Sequence, residues 1–217
     1  QVDLTFWSTF PNLSVDFNNV FIQDPYEEST KSDTLFASEQ VRLKFNPFDI
    51  WRENYTVKTI EVSPGTLKLK VNEEGLENYD IIKSQEDTVD QAPVDLNLEI
   101  IEFENFRLSY DNRVTDQLYR THLKDMTLNG ALSESVFSTT ASTNMNIIEA
   151  RSGKVTLLKN QPARLSIQVN VNSDSNTVEI PPSTIYISEL PFDFNGNVDS
   201  VGYDFNIKGK NIAIADA

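Results

Sequence analysis

The sequence predicts a mostly β chain: a long, curved and twisted antiparallel sheet, groove-like or half-barrel-like, with about two short helices. Three observations lead there. Apolar and polar residues alternate in more than ten short stretches, the period of a strand with one face covered. No strand–helix–strand spacing is present, so parallel-sheet architectures are not expected. The third observation is a repeat.

Phe17-Asn18-Asn19-Val20-Phe21-Ile22, Phe103-Glu104-Asn105-Phe106-Arg107-Leu108 and Leu123-Lys124-Asp125-Met126-Thr127-Leu128 are variants of one phrase. Each reads apolar, polar, Asn or Asp, apolar, any, Leu or Ile. Strand side chains alternate, so apolar residues three apart should point to opposite faces. They share a face only if a residue between them is absorbed, as in a β-bulge. Asn and Asp suit that place because they tolerate unusual backbone angles. The repeat therefore predicts kinked strands, with two residues opposite one at Asn19, Asn105 and Asp125.

Along the chain, Leu13, Val15 and Phe17 alternate with Ser14 and Asp16 as a first strand. Asp24-Pro25 and the polar run 27–33 read as an exposed loop. Phe36 opens the next strand, and Val41, Leu43 and Phe45 alternate with Arg42 and Lys44. Asn46-Pro47 starts a short helix, with Asn as cap and Pro at the first helical position, carrying Phe48, Ile50 and Trp51 to about Asn54. About two turns cannot stand alone, so Trp51 should pack on the sheet. Strands over 55–62 and 67–71 are separated by Ser63-Pro64-Gly65-Thr66, a type II turn signal. Asn72-Glu73-Glu74-Gly75 is a further turn, and Asn78-Tyr79-Asp80-Ile81-Ile82 a short helical segment.

The run 84–91 is acidic and without period, which predicts an exposed loop open to proteolysis. Strand patterning resumes at Leu96, Leu98 and Ile100, then at Phe106, Leu108 and Tyr110, before a turn at Asp111-Asn112. Gly130 ends another strand. The Ser/Thr-rich stretch 133–143 suits an edge strand or a thin wall. Val155 to Leu157, Leu165 to Val171, and Ile185 with Ile187 continue the series, punctuated by Pro181-Pro182 and Pro191. Phe192 and Phe194 lead into Asn195-Gly196, a hairpin-turn signal, and Val201 to Ile207 is the last strand. The organisation expected is a β unit over 1–83, an exposed loop over 84–93, and further β-repeats over 94–217 continuing the same sheet.

Composition narrows the function classes. With 33 acidic and 18 basic residues the net charge is −15, which argues against nucleic acid and against adsorption to anionic headgroups. The absence of cysteine excludes disulfides and thiolate chemistry, and is compatible with periplasm or cytoplasm alike. A single histidine, His122, rules out multi-histidine metal sites and reads as a surface or strand-edge residue. Gly-x-Ser-x-Gly does not occur. The pairs Glu27-Glu28, Glu73-Glu74 and Glu86-Asp87 are adjacent in sequence, which does not set two carboxyls across a pocket. Asn172-Ser173-Asp174-Ser175-Asn176 has oxygen ligands but lacks the Gly and terminal Glu of a calcium loop, and reads as a hairpin turn. The sequons at Asn12 and Asn54 carry no weight. Trp7, Phe45, Phe48 and Trp51 either line a lipid or sugar site or join the core. No apolar run approaches the about 20 residues of a membrane span, and no signal peptide is visible. The strand-like opening after Gln1 is read as that of a fragment with its targeting segment upstream.

Residues Phe10 to Ile82, about a third of the chain, resemble the N-terminal unit of the AsmA family of cell-envelope proteins. The similarity lies in the order and spacing of Phe10-Pro11-Asn12-Leu13-Ser14-Val15, Asn19-Val20-Phe21-Ile22, Leu35-Phe36-Ala37-Ser38 and Val41-Arg42-Leu43. It continues through Ile60-Glu61-Val62-Ser63-Pro64-Gly65-Thr66-Leu67 and from Glu74-Gly75 to Asn78-Tyr79-Asp80-Ile81-Ile82. The resemblance implies a periplasmic protein anchored in the inner membrane by an N-terminal helix that this chain lacks. Larger, TamB-like relatives form apolar β-grooves thought to conduct phospholipids, and this chain is too short to bridge an envelope. The expectation is therefore non-enzymatic: a piece of groove or its lid, taking part in outer-membrane biogenesis or lipid transport. Its apolar face comprises Leu13, Val15, Phe17, Val41, Leu43, Phe45, Leu67, Leu69, Leu96, Leu98, Phe106 and Leu108. Phospholipid or fatty acid is the partner expected, with other envelope proteins as further partners and no metal or cofactor. The alternative is a structural or protein-interaction module of an envelope assembly, with an enzyme the least favoured class.

Overall fold

The computed structural model describes residues 2–5, 13–26, 33–46, 56–79, 96–132, 134–199 and 201–209. These form one open sheet of eleven strands in chain order: β1 (Val2–Thr5), β2 (Leu13–Gln23), β3 (Thr34–Phe45), β4 (Val57–Val71) and β5 (Leu96–Asn112). The series continues with β6 (Gln117–Gly130), β7 (Val136–Ser152), β8 (Val155–Asn172), β9 (Thr177–Ile187), β10 (Leu190–Val198) and β11 (Tyr203–Gly209). The sheet is curved and twisted and does not close into a barrel. Each neighbouring pair is antiparallel except β4 and β5, which run parallel from Val57↔Leu96 to Val71↔Asn112. Alternation of apolar residues fixes which face a strand covers but carries no sign of its direction, so this pair was invisible in the sequence.

The described residues contain no helix. Of the two expected, 47–55 with Trp51 lies outside the described residues. At the other, Glu77 forms an isolated bridge with Val71 and Asn78-Tyr79 form a turn, with 80–82 not described. The loop over 84–93 is likewise outside them.

Several expected breaks are continuous strand. Residues 55–62 and 67–71 belong to a single strand, β4, that runs through Pro64-Gly65. Gly65 is there for proximity: an added Cβ would lie 2.6 Å from the Phe106 ring and 2.7 Å from the Ala37 carbonyl. Asn195-Gly196 is also mid-strand, in β10, and the ring of Phe205 occupies the space above Gly196. The Ser/Thr-rich stretch is not an edge, because β7 lies between β6 and β8. The turns after Asn72, Asn112 and Asn172 form as expected, each with its Asn side-chain oxygen accepting from backbone N–H groups beyond it.

The repeat does kink the sheet, by a mechanism that differs among its copies. Asn19 and Asn105 take left-handed φ of 56° and 51°. Around them the ladder misses one residue per strand without changing register: Asn18↔Gln40 is followed by Val20↔Ser38, and Glu104↔Asp125 by Phe106↔Leu123. Pairing is thus one-for-one at Asn19 and Asn105, not two against one. The skipped residues Asn19, Glu39, Pro64, Asn105 and Lys124 form a crease across β2 to β6. At the third copy a true bulge appears: Leu123↔Met145 is followed by Asp125↔Asn144, leaving Lys124 unpaired and ending the crease before β7. Another of the sheet's bulges sets Pro181-Pro182 against Asn195, where prolines remove ladder donors at no cost.

The expected geometric consequence holds. Phe103 and Phe106, three apart across the crease, pack on one face with ring centroids 5.1 Å apart. Leu123 and Met126 do the same, and with Val62, Val41, Phe36 and Leu67 they form the main apolar cluster.

Candidate functional site

Register defines two faces. On one, Val15, Leu43, Ile60, Ile101, Leu128, Ala141 and Ile167 form a row across seven strands. Phe17, Val41, Val62, Phe103 and Met126 form the next row. On the opposite face Asp16, Arg42, Glu61 and Glu102 lie in a row, with Arg42 Nε donating to Asp16 at 2.7 Å and Lys44 paired with Glu61. One face is apolar and the other carries charge.

The sheet coils over the apolar face. The Tyr203 hydroxyl, on β11, donates to Gln117 Oε1, on β6, at 2.7 Å. In a flat sheet five inter-strand steps of about 4.8 Å would separate these strands. The two residues would also lie at opposite strand ends, since each begins its strand and the five intervening pairings are antiparallel. Accumulated twist and the Pro181-Pro182 bulge bring them together. Both side chains belong to the apolar face by alternation, so that face is the concave one.

The coil sets two walls opposite one another. Tyr110 and Tyr119 stack with centroids 6.3 Å apart on β5 and β6. Tyr203 and Phe205 stack at 5.9 Å, and Phe205 lies 6.1 Å from Phe194 on β10. Desolvation, with Tyr203 and Tyr110 close by, raises the Tyr119 pKa above the ordinary phenol value. Both sets of rings stay accessible: Tyr119 is 36% exposed, and on the edge strand β11 Phe205 is 47% and Ile207 55% exposed.

Of the residues expected on the apolar face, Leu13, Val15, Phe17, Val41, Leu43, Phe45, Leu67, Leu69 and Leu108 are half-buried. Phe106 and Leu98 are buried, so they are core and do not line an accessible surface. Leu96 pairs with Val57 in the ladder. The sequence reading missed the aromatic walls and Gln117 altogether. Tyr203 and Gln117 are 86 residues apart, and no local pattern signals a contact made by coiling of the sheet.

A polar cluster fixes the far end of β4. Asp24 is buried, takes an ion pair from Lys70 at 2.8 Å, and accepts from Tyr26 N–H and Asn78 Nδ2, each at 3.2 Å. Burial alone would raise its pKa; Lys70, Tyr26 and Asn78 outweigh it and hold Asp24 below the ordinary carboxylate value. Asn78 is fully buried, donating also to the Lys68 carbonyl at 2.9 Å and accepting from Lys70 N–H at 2.8 Å. Its polar atoms are thus engaged in holding chain segments together. His122 bonds Asn105 at 2.7 Å across the crease from an inner strand of the sheet, not an edge. No group of three or more metal-ligating side chains exists among the described residues.

No protein-family model, curated protein or solved structure matches this chain.

Proposed function

We propose that this chain is a non-enzymatic envelope domain whose concave apolar face holds lipid acyl chains, in the service of outer-membrane biogenesis or lipid transport. One observation carries the reading. The Tyr203–Gln117 hydrogen bond folds the sheet over its apolar face while the walls so opposed stay about half exposed. A closed core would bury those side chains; a groove leaves room between them. Acyl chains would bind by burial, at about 0.8 kcal/mol per methylene removed from water, with no directed polar contact along the rows. The resemblance of residues 10–82 to the AsmA family supports a periplasmic setting, with membrane attachment through a segment outside this chain.

A fluorescent acyl probe titrated at low and high salt tests the reading. Binding should barely change with salt, because screening acts on charge and not on apolar burial. Leu43→Asp and Leu69→Asp should abolish uptake, with circular dichroism confirming that each variant is folded. A folded wild type that takes up no probe would instead favour a structural module of an envelope assembly.

A further inference from the structure

The seam where β11 returns to β6 differs chemically from the rest of the concave face. Along the rows the face is aliphatic and aromatic; at the seam it presents the Tyr203 hydroxyl, the Gln117 amide and the Tyr119 phenol. Thr121, next on that face of β6, carries a hydroxyl with no hydrogen-bond partner. None of these groups is a carboxylate, amine or guanidinium. The charged pair nearest to the seam on β6 and β7, Arg120 and Glu149, lies on the other face. The chain around them has a net charge of −15.

Resting on the acyl-groove reading, we infer that the β6–β11 seam seats the polar head of a bound amphiphile, and that this head is uncharged and hydroxyl-bearing, as in a monoacylglycerol. Phenols and an amide both donate to and accept from hydroxyls, and their rings supply apolar wall to the first carbons of the chain. A carboxylate or phosphate placed there finds in the phenols and the amide no opposite charge, within a protein that is acidic as a whole, so its desolvation is poorly compensated. The Tyr203–Gln117 bond is already a hydroxyl-to-amide contact, and a ligand hydroxyl replaces or bridges it in kind.

The test compares a monoacylglycerol with the fatty acid of the same chain length, at pH 8, by displacement of a fluorescent acyl probe. The monoacylglycerol should bind at least about tenfold more tightly. Tyr203→Phe keeps the ring and loses the hydroxyl, so it should weaken the monoacylglycerol about fivefold and leave the fatty acid nearly unchanged. Equal or tighter binding of the fatty acid by the wild type would overturn the inference while leaving the groove intact. Failure of both ligands and of the probe to bind would overturn the groove reading and this one together. The wild-type comparison decides the matter even where Tyr203→Phe fails to fold.

Discussion

Asn78→Ala should be among the most damaging single substitutions in the described chain, although it alters no part of the proposed groove. Asn78 is fully buried and its side chain makes three hydrogen bonds: to Asp24 at 3.2 Å, to the Lys68 carbonyl at 2.9 Å, and from Lys70 N–H at 2.8 Å. Alanine leaves the Lys68 carbonyl and the Lys70 N–H without these partners and removes one donor from a buried carboxylate. Each group stranded in this way costs about 1–3 kcal/mol, so the total is about 3–5 kcal/mol. Against a typical domain stability of about 5–15 kcal/mol, that is a large fraction. Urea unfolding followed by circular dichroism should show the midpoint falling sharply with little change in slope. Asn78→Asp should be no better, since a carboxylate donates to neither the Lys68 carbonyl nor Asp24. A loss under about 1 kcal/mol for the alanine variant would refute the view that this cluster anchors the chain beyond β4.

Three further outcomes follow from the same geometry. Because Asp24 is held below the ordinary value of 3.8, its contribution to stability is complete above that pH and is lost as pH falls through its folded-state value; acid titration of Asp24→Asn should show a shallower loss below about pH 4 than the wild type. Gly65→Ala should destabilise by about 1–3 kcal/mol in thermal unfolding, since the new methyl would meet the Phe106 ring and the Ala37 carbonyl at under 3 Å; an unchanged melting temperature would contradict the packing described. Asn19→Val should cost about 1–2 kcal/mol at its φ of 56°, and Asn19→Gly almost nothing; equal effects would mean that the crease does not depend on a left-handed residue.

Much of the sheet was legible in the sequence because alternation reports the covered face directly. Leu13-Ser14-Val15-Asp16-Phe17 and Val41-Arg42-Leu43-Lys44-Phe45 were placed in strands correctly for that reason, although on β2 the buried residues are Ser14 and Asp16 while Leu13, Val15 and Phe17 are half-buried. The asparagines of the repeat were legible too, since few side chains tolerate the left-handed region. What failed was punctuation. Pro64-Gly65 and Asn195-Gly196 carry the residues of tight turns, yet each glycine serves a neighbouring aromatic ring, Phe106 in one case and Phe205 in the other. A close approach between strands and a reversal of the chain call for the same residue, and only the partner distinguishes them. The candidate site was half legible: its aliphatic rows follow from strand period, while its aromatic walls depend on how far eleven strands coil. Asn78 and Asp24, 54 residues apart, were beyond reach for the same reason.

The central claim is that acyl chains reach the concave apolar face and not the charged one. Photocrosslinking with a diazirine-tagged acyl chain, followed by peptide mapping, tests it most directly. Label should fall on Leu43, Leu69, Met126, Tyr119 and Phe205, and spare Arg42, Glu61 and Glu102 on the opposite face. Label spread evenly over both faces, or absent from a folded protein at saturating probe, would contradict it.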